Sequence, residues 1–178
     1  RVLFRSQMSD NNKMTIIATK GTFDWAFPPF IIASTGVAMD KEVTIFFTFY
    51  GLNLLLKDTS KLRVSPLGNP GMPMKMPFGP KWLQKIDFGP RIPNILWSIP
   101  GTEALVTWLM KKTMAKHGVA KLEDLRDMCQ EFDVKFIACE MTVELFGFNK
   151  EDFIDGVEFA GAASYFDEAA TGDHHLYM

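Results

Sequence analysis

The chain has 178 residues, 47% hydrophobic and 22% charged, with a formal net charge of −2. That is enough apolar mass for one packed domain and too little polarity for a disordered chain. The near-neutral balance argues against general nucleic-acid binding, and no apolar run reaches the roughly 18 residues needed to span a bilayer. The only cysteines, Cys129 and Cys139, form neither a disulfide framework nor a zinc pattern and suit a reducing cytoplasm. Charge is unevenly spread. Lys57 to Lys116 carries ten Lys/Arg against three acids, and Leu122 to Met178 carries fourteen acids against three Lys/Arg. Such halves can complement each other within or between subunits, or the basic middle can meet an acidic partner or a lipid surface.

Residues 1–13 read as a leader or tag, expected to be disordered, and 14–178 as a single domain. Met14 to Thr19 is β-branched and apolar and predicts a parallel strand. Thr22 to Met39 predicts its crossover helix. Pro28 and Pro29 require either that the regular helix start there or that it kink. Val43 to Phe49 is the clearest strand, apolar on both faces, and Leu52 to Lys57 a brief helical turn. Thr59 to Pro100 holds eight of the ten prolines, with methionines and tryptophans between them. No long helix or central strand survives that density. It predicts an ordered Met/Pro-rich insertion, with one short helix over Lys81 to Ile86, that covers a site or lies in a subunit interface.

Thr102 to Lys116 predicts a helix capped by Thr102 and stopped by Gly118. Lys121 to Phe132 predicts a second, with Leu122, Leu125, Met128, Cys129 and Phe132 at helical spacing. Val134 to Cys139 predicts the third strand. Asn149, with Asp152 three positions on, predicts a capping box opening a long helix to about Ala170. His174 to Met178 predicts a last strand. The fold class is therefore α/β: a flavodoxin-like three-layer sandwich around a mostly parallel sheet of four to five strands.

The chemistry points to Cys139. A buried-looking strand ends on this cysteine and a short helical run begins at once. In open α/β sheets ligands bind at the carboxyl ends of strands, and a helix amino terminus favours a thiolate. Glu140 and Glu144 oppose that effect. Tyr50 and Asn53, just past the second strand, share the edge and can line a pocket. Gly21, in Lys20-Gly21-Thr22, stands where a phosphate loop would sit, but no nucleotide motif is present. His174 and His175 point to opposite faces of a strand, so no metal site is expected. Cys129 lies on an apolar helical stripe. Element geometry offsets it from Cys139 by about 10 Å along the axis and about 10 Å between layers, beyond the roughly 7 Å limit of a disulfide.

Three runs, VTIFFTFYGLNLLL from Val43, VKFIACEMTVELFGF from Val134 and FIDGVEFAGAA from Phe153, together resemble the DsrE/DsrF-like family. The resemblance is to its branch labelled peroxiredoxin-like, which carries a long Met/Pro insertion. It implies a homo-oligomeric sulfur carrier or sulfurtransferase in which Cys139 holds a persulfide. It also implies partners among rhodanese-like and TusA-like sulfur-relay proteins. Backbone N–H groups of Glu140, Met141 and Thr142 would hold the sulfur anion, with no metal or organic cofactor. The competing expectation is a non-catalytic oligomeric scaffold or adaptor, with the 59–100 insertion as its partner or membrane-surface patch.

Overall fold

A computed structural model describes residues 12–65, 78–86, 99 and 101–178. The leader up to residue 11, and the parts of the expected insertion at 66–77, 87–98 and 100, lie outside the described residues. The described chain forms two compact units. One comprises Trp25–Ser60, Leu122–Met178 and the described part of Arg1–Gly21; the other comprises Thr22–Asp24 and Lys61–Lys121.

The first unit is a doubly wound α/β layer structure. Its strands are β1 (Lys13–Ala18), β2 (Glu42–Phe47), β3 (Lys135–Cys139), β4 (Val157–Ala160) and β5 (Gly172–Tyr177). They form one sheet of order β4-β3-β2-β1-β5, and every pairing is parallel. Parallel neighbours need crossovers, and the apolar runs of β2 and β3 are what a sheet covered on both faces requires. Helix α1 (Phe27–Ala38) takes both prolines into its first turn. There the backbone N–H groups have no intrahelical acceptor to lose, so the regular helix begins at the prolines without a kink.

Side chains alternate across the sheet and divide the core in two. On one face Phe47 and Phe136 meet Phe30 of α1, with ring centroids 5.6 to 5.9 Å apart. Helix α3 (Leu122–Glu131) packs against α1 on this side, and the Cys129 thiol donates to the Phe30 carbonyl at 3.4 Å. On the other face Phe46, Ile137 and Cys139 form a buried cluster with Tyr165 of α5 (Ala162–Ala169).

The largest departure from expectation follows Asn149. No helix runs from Asn149 to Ala170. The capping box exists, and the Asn149 N–H donates to the Asp152 carboxylate at 2.9 Å, but it opens only a 3-10 turn, Lys150–Asp152. Gly156 then takes φ +78, a left-handed conformation that interrupts any helix, and β4 and α5 follow. The spacing of Phe153, Val157, Ala160 and Ser164 mimics a helical face. A four-residue strand is too short for alternation to outweigh it.

In the second unit α2 (Thr102–Lys116) is capped by Gly101 at φ +95, with Thr102 inside the helix. Its one buried side chain, Thr107, accepts from the Val64 N–H at 2.9 Å. The short helix expected over Lys81 to Ile86 is a 3-10 turn, Leu83–Lys85. Lys112 lies over the rings of Phe78 and Trp108 at 4.6 and 4.9 Å, and Lys111 over Phe23 at 5.0 Å. No helix among the described residues is long and apolar enough to cross a membrane.

Candidate functional site

The carboxyl ends of β1, β2 and β3 meet at one edge of the first unit. Past β2 the chain turns through a 3-10 helix, Phe49–Leu55, and past β3 it enters α4 (Glu140–Phe146) directly. Thr48 and Thr142 join the two exits, their hydroxyls 3.2 Å apart. Thr142 is fully buried, so this contact fixes α4 against the end of β2.

Cys139 occupies the N-cap of α4 with extended backbone, as its strand-end position predicts. Its side chain makes no capping hydrogen bond. Instead the sulfur belongs to the cluster of Phe46, Ile137 and Tyr165, and the residue is only 5% exposed. Glu140 is exposed and its carboxylate meets the Lys150 ammonium at 3.3 Å, which offsets the repulsion expected against a thiolate at Cys139. Met141 stands 66% exposed and Tyr50 64% exposed. Tyr50 stacks on Phe146 at 5.8 Å, and Phe49 meets the same ring edge-on at 6.5 Å. Tyr50 therefore packs against the far end of α4.

Gly21 serves a packing need. A β-carbon there would lie 1.8 Å from the Tyr50 carbonyl oxygen and 3.0 Å from the Asn53 amide nitrogen. The loops after β1 and β2 thus cross at backbone contact, and Asn53 lies at that crossing. Among the described residues no three His, Cys, Asp or Glu side chains are grouped to hold a metal ion.

Cys129 is the contrasting thiol. It is fully buried, and desolvation pushes it up to about 11, which leaves almost no thiolate near neutral pH. Both cysteines are free. They face opposite sides of the sheet, a stronger reason against a bridge than axial offset.

Three residues around the edge were missed in the sequence. Thr48 looked like the tail of a strand, and Tyr165 lay inside the misread helix. Arg126 is a buried cation whose guanidinium donates to the Leu54 and Leu56 carbonyls at 3.2 and 2.8 Å, and burial lowers its pKa. It fixes the end of the turn that carries Tyr50 and Asn53. An arginine on the apolar stripe of α3 was the available clue.

The fold and edge define a doubly wound α/β protein with a thiol at the end of a central strand. The pattern of the DsrE/DsrF/DrsH-like family matches residues 10–177, and the chain belongs to that family. Among curated relatives it is 51% identical, over 95% of this chain and 99% of the other, to the sulfur carrier protein DsrE2 of Allochromatium vinosum. It is 33% identical, over 93% of this chain and 96% of the other, to the YrkE protein of Bacillus subtilis. Among solved structures the ychN protein of E. coli superposes with a TM-score of 0.54 at 11% identity, covering 94% of this chain and 99% of that one. This likeness supports the α/β fold.

Proposed function

We propose that the chain is a sulfur-relay protein that carries a persulfide on Cys139 and passes it to an acceptor thiol. The observation that carries this reading is the 51% identity, over nearly the whole of both chains, to a protein named as a sulfur carrier. The strand-end position of Cys139 supplies the chemistry. The Cys139 thiolate attacks the outer sulfur of a donor persulfide, R–S–SH. An S–S bond forms on Cys139, the donor S–S bond breaks, and the donor leaves as a thiolate. An acceptor thiolate then attacks the outer sulfur of Cys139–S–SH, takes it as its own persulfide and releases the Cys139 thiolate. Each step is a thiol exchange, so rate follows thiolate fraction and access. Electrons balance without a metal, an organic cofactor or an outside oxidant.

In this reading the protein works as a homo-oligomer in the cytoplasm, between a rhodanese-like donor and a TusA-like acceptor, as a sulfurtransferase-like carrier. Residues 14–178 act as one DsrE-like domain with the 59–100 insertion. The N–H groups of Glu140, Met141 and Thr142, which lie in the first turn of α4 and so lack intrahelical acceptors, hold the sulfur anion in this reading.

Intact-mass analysis after incubation with a persulfide donor tests the reading. It expects a gain of one sulfur on the native chain and on Cys129→Ser, and none on Cys139→Ser. Equal uptake by Cys139→Ser would sink it. The burial of Cys139 favours a second reading, a non-catalytic scaffold, which expects no uptake by any variant.

A further inference from the structure

The thiol assigned to the chemistry is closed off, and the helix that closes it has a single buried side chain. We propose that α5 is a movable cover over Cys139, latched by Glu168, and that its opening controls access to the thiol. The proposal rests on the sulfur-carrier reading only for what the opening is used for.

β4 and β5 are the two outer strands of the sheet, so the single connection between them must cross β3, β2 and β1. Eight residues of α5 reach about 12 Å, against about 19 Å for four strand spacings. The helix is therefore one short bar that starts beside the carboxyl end of β3, where Ala160 pairs with Cys139, and ends with Glu168 on Lys135 and Lys13 at the amino ends of β3 and β1. Among the described residues, the cluster around Cys139 takes only Tyr165 and Ala169 from outside the sheet, and both belong to α5.

The hold on that bar is slight. Tyr165 is its only buried side chain, while Phe166 is 68% exposed. The Tyr165 ring packs on Phe46 at 5.5 Å, and its hydroxyl is 3.4 Å from the Thr15 hydroxyl. Glu168 makes the polar latch, with one oxygen 2.8 Å from the Lys135 ammonium and the other 3.4 Å from that of Lys13. A two-turn helix has little stability of its own, and partly exposed ion pairs add little. Elements with few buried contacts open locally well before the whole domain unfolds. Opening here removes the cover that the described residues place over Cys139 and leaves Cys129, on the other side of the sheet, undisturbed.

The arrangement also bears on the loaded state. Protein interiors are packed to crystal-like density. A second sulfur on Cys139 has to displace neighbours in its cluster, so loading favours the open cover and presents the outer sulfur to an acceptor.

The test is alkylation of the full native chain by iodoacetamide, followed by peptide mass analysis of each cysteine. The native chain is expected to alkylate Cys139 slowly and Cys129 not at all over the same period. Glu168→Gln keeps the side-chain shape and weakens the latch, and is expected to raise the Cys139 rate about 1.5- to 5-fold. Tyr165→Ala is expected to raise it further. Unchanged Cys139 rates in both variants would overturn the proposal, as would Cys129 rising in step with Cys139. Hydrogen exchange on the native chain gives a reading without mutation. The α5 amides should exchange well before those of β1 and β2, and equal protection would also overturn it. No sulfur donor enters these experiments. Failed sulfur uptake sinks the carrier reading and leaves the cover standing; unchanged alkylation does the reverse.

Discussion

The two faces of the sheet are built differently, and each holds one cysteine. The face toward α1 is closed by a twelve-residue helix with α3 packed against it, and by an interlocking set of Phe30, Phe47 and Phe136. Cys129, in α3, is part of that structure, and burial makes it inert. The opposite face carries one eight-residue helix held by Tyr165 and Glu168, and Cys139 lies beneath it. Burial alone does not separate the two thiols. What separates them is how much structure must move before each is reached.

The largest expected effect tests the first face. Phe30→Ala removes a fully buried ring from the aromatic set and should cost about 3–5 kcal/mol in denaturant unfolding. Tyr165→Ala, on the thinly covered face, should cost clearly less while changing Cys139 reactivity more. If both variants lose the same stability, the contrast between the faces fails.

Gly21→Ala comes next. Its β-carbon would collide with the Tyr50 carbonyl, and the backbone must move to relieve it. The expected loss is about 1–3 kcal/mol by thermal or urea unfolding. A neutral result would mean that the loops beside the site are not locked together.

Glu168→Gln should cost less than either, about 0.2–1 kcal/mol, because the pair with Lys135 is partly exposed. This latch also has a pH signature. The hydrogen bond from Lys135 holds the Glu168 carboxyl below its ordinary 4.5. A carboxyl depressed on folding stabilises fully above its unfolded value, and the contribution is lost as pH falls through the folded one. The melting temperature of the native chain should therefore fall as pH drops below about 4.5, and that of Glu168→Gln should fall less steeply. Parallel curves would show that Glu168 is not part of the acid response.

The smallest expected signal is on Cys129. In Cys139→Ser the remaining thiol should alkylate negligibly at about pH 8, since its value near 11 keeps it protonated. Ready labelling would mean that the α1 face is as open as the other.

Much of this was legible in the residues. The unbroken apolar runs of β2 and β3 required burial on both faces and hence a parallel sheet with crossovers. The strand-end position of Cys139 followed from β3 giving way to α4 without a loop. The stripe on α3 placed Cys129 in the core. The region after Asn149 was misread because its spacing fits a helix while Gly156 breaks it.

The sequence by itself determined four of the five strands (all but β4), the class of fold and the position of the thiol along the chain, because these follow from local periodicity and from which residues end a strand. Only the tertiary structure decided which face each thiol occupies, that Glu140 is paired with Lys150, and that Tyr165 packs over Cys139 while Glu168 ties the same helix to Lys135. Those facts depend on strand order. β4 and β5 lie at opposite edges, so the link between them must pass over the thiol, and no local pattern encodes that crossing.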